Sequence, residues 1–268
     1  MKATAQDLKR YLGVKLMKKA LVVFSGGMDS TVALYDAIEK YEDVETITFN
    51  YGSKHNDAEY AYALKTCGKL GVKNTRIDLD FINQYFQSDL LKSGGDIPEG
   101  HYEEETMKAT VVPFRNGIML SIAAGLAESG EAQTLVLGNH YGDHAIYPDC
   151  RQIFADALGV AIQLCDWKEV KLIRPFVNIT KGDIAKIGKE LKVDYTKTWS
   201  CYKGLEKQCG KCGTCIERRE ALYLGGVEDL DINYLPDAPS LAMLITHNFK
   251  LKEIEAKAKQ NYAGAFVH

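Results

Sequence analysis

Residues 25–30 read Ser-Gly-Gly-Met-Asp-Ser, placed between the apolar run Leu21-Val22-Val23-Phe24 and a helical pattern that begins at Thr31. An apolar run of that length suits a buried strand, and two glycines let the backbone turn sharply and approach an anion with no Cβ in the way. The loop amides and the following helix N-terminus then face a site where unpaired N–H groups and the macrodipole favour negative charge. A Walker loop requires Gly, four residues and Gly-Lys-Ser/Thr, and a dinucleotide fingerprint requires Gly-x-Gly-x-x-Gly; the segment has neither. An ordinary strand-to-helix turn is the plainer reading. Strand, double glycine, carboxylate and hydroxyl in that order instead predict a nucleotide cradle of Phe24, Ser25, Gly26, Gly27, Met28, Asp29, Ser30 and Thr31.

The rest of the chain alternates. Strands are expected at 21–24, 44–50, 75–79, 134–137 and 170–174, and helices at 31–40, 57–70, 116–129 and 151–163, with another beginning at Thr180, whose hydroxyl can cap Asp183. Residues 93–110 lose periodicity and carry Gly94, Gly95, Pro98 and Gly100, which predicts a long loop of the kind that often forms a lid. Alternating strands and helices predict right-handed βαβ units and a parallel sheet covered on both faces. Ligands of such sheets bind at the carboxyl ends of the strands. That places 25–30, Tyr51-Gly52-Ser53-Lys54-His55 and the loop 138–144 at one edge, where Lys54 and Lys181 can neutralise phosphates and Asp29 can hold Mg²⁺.

Composition bounds the function. The 268 residues suffice for a large α/β domain with a small appendage, and the net charge of −3 lacks the basic excess of a nucleic-acid binder. No apolar run reaches the roughly 18 residues of a membrane helix, and residues 1–19 are polar, so a cytoplasmic enzyme is expected.

Two short segments suggest recognition. In Val112-Pro113-Phe114-Arg115-Asn116, Asn116 is positioned to cap a helix and Arg115 to clamp a carboxylate or phosphate, or else to form a structural ion pair. In Tyr147-Pro148-Asp149-Cys150-Arg151, a ring and a carboxylate suit a flat heterocycle bearing N–H groups, although Asp149 can equally cap the next helix. His140 and His144 lie on a loop interrupted by Gly142, so helical metal spacing does not apply to them. Cys150, Cys67 and Cys165 read as small apolar residues rather than nucleophiles.

Cys201, Cys209, Cys212 and Cys215 form a Cys-x7-Cys-x2-Cys-x2-Cys array, with Gly210 and Gly213 supplying knuckle turns. Four thiolates suit tetrahedral zinc, and with every position taken by protein the role is structural. An iron–sulfur cluster accepts similar spacing, but the first ligand lies far upstream and no proline follows the last.

The loop 25–30 is similar to the pyrophosphate loop of adenylating ligases and sulfurtransferases. Taken in order with 49–55, 112–116, 147–151, Ser200-Cys201-Tyr202 and the cysteine triplet, it resembles the QueC family of 7-cyano-7-deazaguanine synthases over roughly residues 19–223. The resemblance implies an adenine-nucleotide α-hydrolase-like (Rossmann-like) fold with a zinc subdomain. It implies conversion of 7-carboxy-7-deazaguanine and ammonia to the nitrile with Mg·ATP, by a homodimer; the acidic balance separately argues against nucleic acid as the primary partner. Asp29 and Lys181 are then expected to be catalytic, with substrate contacts from Tyr51, Lys54, His55, Arg115, Asn116, Asn139, Asp143, Tyr147, Asp149 and Arg151. The loop Asn139-His140-Tyr141-Gly142-Asp143 departs from the Val-Cys-Glu-Thr-Asp of many members. The expected division is an extension at 1–19, a catalytic domain at 20–198, a zinc module at 199–227 and a helical extension at 228–268. Other readings are a tRNA-modifying ligase or sulfurtransferase, which should carry a basic RNA-binding module, a deazaguanine enzyme of a defence pathway, and a nucleotide sensor.

Overall fold

A computed structural model describes residues 17–102 and 104–254. Its centre is a parallel sheet of β1 (Met17–Val23), β2 (Tyr41–Asn50), β3 (Lys73–Asp78), β4 (Thr134–Val136) and β5 (Lys171–Ile173), in the order β3-β2-β1-β4-β5. The register sets Val22 beside Thr46 on one side and Val136 on the other. The chain winds outward from β1 through β2 to β3 and then crosses to β4 and β5. The crevice at the carboxyl ends of β1 and β4 is therefore the topological switch point.

Alternation along β1 divides the core. Ala20 and Val22 face α1 (Met28–Lys40) and α6 (Lys181–Glu190), packing with Val32, Ala33 and Ile184, while Leu21 faces the opposite layer with Ile47, Leu135 and Leu120. Leu120 belongs to α4 (Arg115–Ser129). The remaining helices are α2 (Asn56–Leu70), α3 (Asp80–Tyr85), α5 (Gln152–Leu164), α7 (Gly213–Leu224) and α8 (Leu241–Thr246). None of the described helices is long and apolar enough to cross a membrane.

The expected strands and helices recur with shifted ends, and α3 and α7 form where the sequence predicted no helix. Within the described residues β1 runs from Met17, ahead of the apolar run, and Lys19 bonds Glu45 at 3.0 Å in register with β2. The loop 93–110 is not a free lid. It ends in a 3₁₀ turn at Glu105–Thr110, and Ile97, Tyr102 and Met107 are buried. Lys54 fixes its base, its ammonium donating to the carbonyls of Asp89 (2.7 Å), Leu91 (2.5 Å), Gly94 (3.3 Å) and Gly95 (2.9 Å).

The cysteine segment joins the main core. Trp199 N–H donates to Gly26 O at 3.0 Å, and Gly100 N–H to Lys211 O at 3.1 Å. Beyond it, Leu244, Phe249 and Ile254 pack on Ile216 of α7. The charged helical pattern at 251–261 falls mostly outside the described residues, as does most of the extension at 1–19.

Candidate active site

The loop after β1 is folded on its own hydroxyls. Gly27 N–H donates to Ser25 Oγ at 3.1 Å, and the Ser30 and Thr31 hydroxyls donate to Gly27 O at 3.2 and 2.7 Å. Gly27 opens α1 with no side-chain cap, so the first N–H groups of that helix are left for an anion. Gly26 serves a different purpose. At φ +92° it lies so close to α2 that a Cβ would meet Glu59 O at 2.4 Å and Ala63 N at 2.7 Å.

This loop forms one wall of a cavity of about 220 Å³ at the switch point. At one end Lys181 Nζ sits 3.1 Å from Asp29 Oδ2 and 2.7 Å from Glu217 Oε2. Lys181 enters at the first position of α6, where Thr180 Oγ1 accepts from Asp183 N–H and the Asp183 carboxylate accepts from Thr180 N–H. A cation at a helix N-terminus is unfavourable, and burial adds to the cost. Burial works against the Lys181 charge, but Asp29, Glu217 and Asp143 outweigh it and raise the pKa above that of a free lysine. Burial pushes Glu217 up against Lys181, which lowers it. Asp143, despite its burial, is held below the usual carboxylate range by His140, Lys181 and the Tyr102 hydroxyl at 2.9 Å. His140 Nδ1 accepts from Gly142 N–H at 3.0 Å, and its Nε2 faces Asp143 at 3.5 Å and Glu217 at 3.8 Å. Asp29 Oδ1 is buried and has no hydrogen-bond partner.

At the other end Arg115 begins α4, with its guanidinium 6.0 Å from the Tyr51 ring centroid and 5.5 Å from that of Tyr147. His55 stacks on Tyr202 at 4.9 Å and places Nε2 3.5 Å from Glu59 Oε2. Burial and Arg115 push His55 down to about 3, so it is neutral. Burial pushes Glu59 up to about 8, although a Ser25 hydrogen bond and Arg115 oppose the shift. Asn139 donates to Cys150 O at 2.7 Å and keeps a buried, unpartnered Oδ1.

The four cysteine sulfurs all lie within 4.8 Å of one another and are buried. Cys209 and Cys215 Sγ are 3.8 Å apart, matching the edge of about 3.8 Å that metal–sulfur bonds of about 2.3 Å give a tetrahedron. Backbone N–H groups of Lys211 and Cys212 point at Cys209 Sγ, at 3.4 and 3.2 Å. Such donors stabilise a thiolate, and the set fits a structural metal. The cluster also sets the start of α7, since Cys212 is its N-cap and Cys215 lies in its first turn.

A family model described as "Queuosine biosynthesis protein QueC" matches residues 19–225. The chain belongs to the QueC family. It is 54% identical over 212 residues to the 7-cyano-7-deazaguanine synthase of Porphyromonas gingivalis strain W83, covering 79% of this chain and 96% of that one. The synthase of Methanoregula boonei is 50% identical over 211 residues, covering 79% and 97%. The synthase of Marinomonas sp. is 44% identical over 214 residues, covering 80% and 97%. Among solved structures, the NMN synthetase of Francisella tularensis is 12% identical at a TM-score of 0.44, over 85% of this chain and 87% of that one. Membership makes the chain an enzyme of queuosine biosynthesis, a ligase that forms carbon–nitrogen bonds.

Within this QueC fold, Phe24, Ser25, Gly27, Met28, Asp29 and Ser30 line the cavity, as do Lys181, Tyr51, His55, Arg115, Asn116, Asn139 and Asp143. Other expected residues stand elsewhere. Gly26 packs on α2, and Thr31 turns its hydroxyl back to Gly27. Lys54 is held by four carbonyls at the base of the loop 93–110. Asp149 Oδ2 accepts from Asn116 N–H at 2.9 Å, so the carboxylate satisfies the start of α4. Asn116 is consequently not the cap; Phe114 holds that position at φ 53°. Tyr147 is buried behind Arg115, its hydroxyl 2.8 Å from Thr110 Oγ1, and Arg151 is exposed and donates to His144 O. Sequence reasoning missed Glu59, Tyr102, His140, Trp199, Thr214 and Glu217, of which all but His140 and Glu217 line the cavity itself. Only the position of Glu217, two residues past Cys215, gave a signal.

Proposed function

We propose that the chain converts 7-carboxy-7-deazaguanine and ammonia to 7-cyano-7-deazaguanine in two ATP-driven activations. The observation that carries this reading is the joining of the open α1 N-terminus, Lys181 and Arg115 in one cavity at the switch point. A carboxylate oxygen is a poor leaving group. Attack of that oxygen on the α-phosphate gives an acyl adenylate and pyrophosphate. The α1 amides and Lys181 oppose the charge that builds on the departing phosphates. Ammonia displaces AMP to give the amide, whose oxygen is activated in the same way; loss of AMP and a proton leaves the nitrile. Arg115 is suited to hold the substrate carboxylate, and Asn139 Oδ1 to accept from a ring N–H.

Asp29 Oδ1 fits Mg²⁺ carried in with the nucleotide, where the ion would offset phosphate charge. Cys201, Cys209, Cys212 and Cys215 would hold zinc, which supplies a structural anchor for α7. The homodimer reading is supported by α5, which exposes Ile153 (79%) and Leu164 (79%) on one side, continued by Trp167 (98%). We assign the division at 1–19, 20–198, 199–227 and 228–268, and a cytoplasmic location, to the same proposal. A four-thiolate site requires reduced cysteines, which that compartment maintains.

The test is incubation with 7-carboxy-7-deazaguanine, ammonium and Mg·ATP, followed by mass spectrometry. Nitrile and AMP are the expected products. ADP in place of AMP would overturn the adenylate chemistry, and absence of nitrile the reaction itself.

A further inference from the structure

Glu59 differs from the other carboxyls at this site. Asp29 and Glu217 share the Lys181 ammonium, whereas Glu59, in the first turns of α2, faces the Ser25 hydroxyl and the His55 ring. Its Oε1 would be 3.4 Å from a Cβ on Gly27, the residue that opens α1. Its side chain is 15% exposed and lines the cavity beside the phosphate loop. An anion seated on the α1 N-terminus therefore meets this carboxyl at close range, and an ionised Glu59 would repel it.

We propose that Glu59 is a proton-holding member of the anion cradle: it binds the nucleotide as the neutral acid, its O–H donating to a phosphate oxygen. The inference rests on the reading that ATP phosphates occupy the loop 25–30. The groups facing Glu59 are Ser25 from the loop, His55 from the start of α2, Tyr51 from the end of β2 and Arg115 from α4. His55 is neutral, so Arg115 is the cation among them, and it does not outweigh the burial. In the free protein the Glu59 carboxyl ionises at about 8. A bound phosphate moves that ionisation further up, because a nearby negative charge disfavours a second one. Nucleotide binding above about pH 8 must then take up a proton, and the affinity must fall as the pH rises.

Isothermal titration of the full chain with Mg·ATP, without the deazaguanine substrate and in buffers of different ionisation enthalpy, reads both effects. The expected wild-type result is uptake approaching one proton at about pH 9 and almost none at about pH 7, with affinity falling by up to about tenfold per pH unit above pH 8. Glu59→Gln, which keeps a neutral hydrogen-bonding group, is expected to take up no proton, show a flat profile and bind more tightly than wild type at about pH 9. Wild-type binding at that pH without proton uptake would overturn the proposal, and this measurement does not depend on the variant folding. A Glu59→Gln profile as steep as wild type, or wild-type affinity that rises with pH, would also overturn it. Failure of the wild type to bind Mg·ATP at any pH would instead overturn the ATP reading, and the role of Glu59 with it.

Discussion

Lys181 holds its charge in a buried site because Asp29 and Glu217 lie 3.1 and 2.7 Å away, and each carboxylate depends on it in turn. Lys181→Met should lower kcat/KM by about 100-fold or more. It should also destabilise the fold by about 3–5 kcal/mol, because it leaves buried carboxylates without a cation; turnover assays and thermal melts read the two effects separately. Lys54 makes the contrast. Lys54→Met should lower stability by about 1.5–3 kcal/mol in a urea titration, with Mg·ATP affinity nearly unchanged, because its ammonium ties a loop. The two lysines looked alike in sequence. The partners of Lys54 lie 35 to 41 residues away along the chain, a separation that no local pattern encodes. Glu59 was hidden for a related reason, since a glutamate on a helix is solvated by default and only the fold buries this one. Because burial raises its pKa from 4.5 to about 8, its proton is bound more tightly in the folded state. The resulting stability is complete below about pH 4.5 and is lost as the pH rises toward 8. Melts across that range should show the advantage of Glu59→Gln over wild type growing with pH and levelling off above it.

At the scale of elements, helix ends carry most of the site. Thr180 and Asp183 close a capping box that presents Lys181, and the hydroxyl-then-acid spacing made it readable from sequence. Helix α4 is capped from a distance, by Asp149, which is why the local pattern pointed to Asn116 instead. Asp149→Ala should cost about 1–2 kcal/mol of stability and weaken substrate binding, because the turn that carries Arg115 loses its acceptor. Calorimetry and substrate titration check both. The strands were legible from their apolar runs, but their register depends on partners across the sheet, as at Lys19 and Glu45. The exposed apolar side of α5 makes a prediction of its own. Leu164→Glu should convert a dimer to monomer in light scattering without a large loss of monomer stability, since Leu164 is 79% exposed.

Over the whole molecule, the cysteine module and the cavity at the switch point are mechanically one. Helix α7 starts at the cysteine cluster, carries Glu217 to Lys181, and buries Arg219 against Asp229 at 3.1 Å and Pro239 O at 2.7 Å. Chelation of the metal should therefore abolish ATP-dependent turnover and lower the melting temperature together. Loss of stability with turnover preserved would separate the module from the site. The cysteine array was plain in sequence because its ligands are close together, but its link to Lys181 was not, because that link runs through tertiary contacts. The sheet order has a consequence for synthesis of the chain on the ribosome. The cradle emerges first, yet Lys181 and the α7 residues that complete the site come from the last third of the sequence. A nascent chain that has exposed only β1 to β3 holds the loop 25–30 without Arg115 and Lys181. If the loop 25–30 seats nucleotide as proposed, that ligand can assist only the closing stages of folding, after α7 has left the exit tunnel.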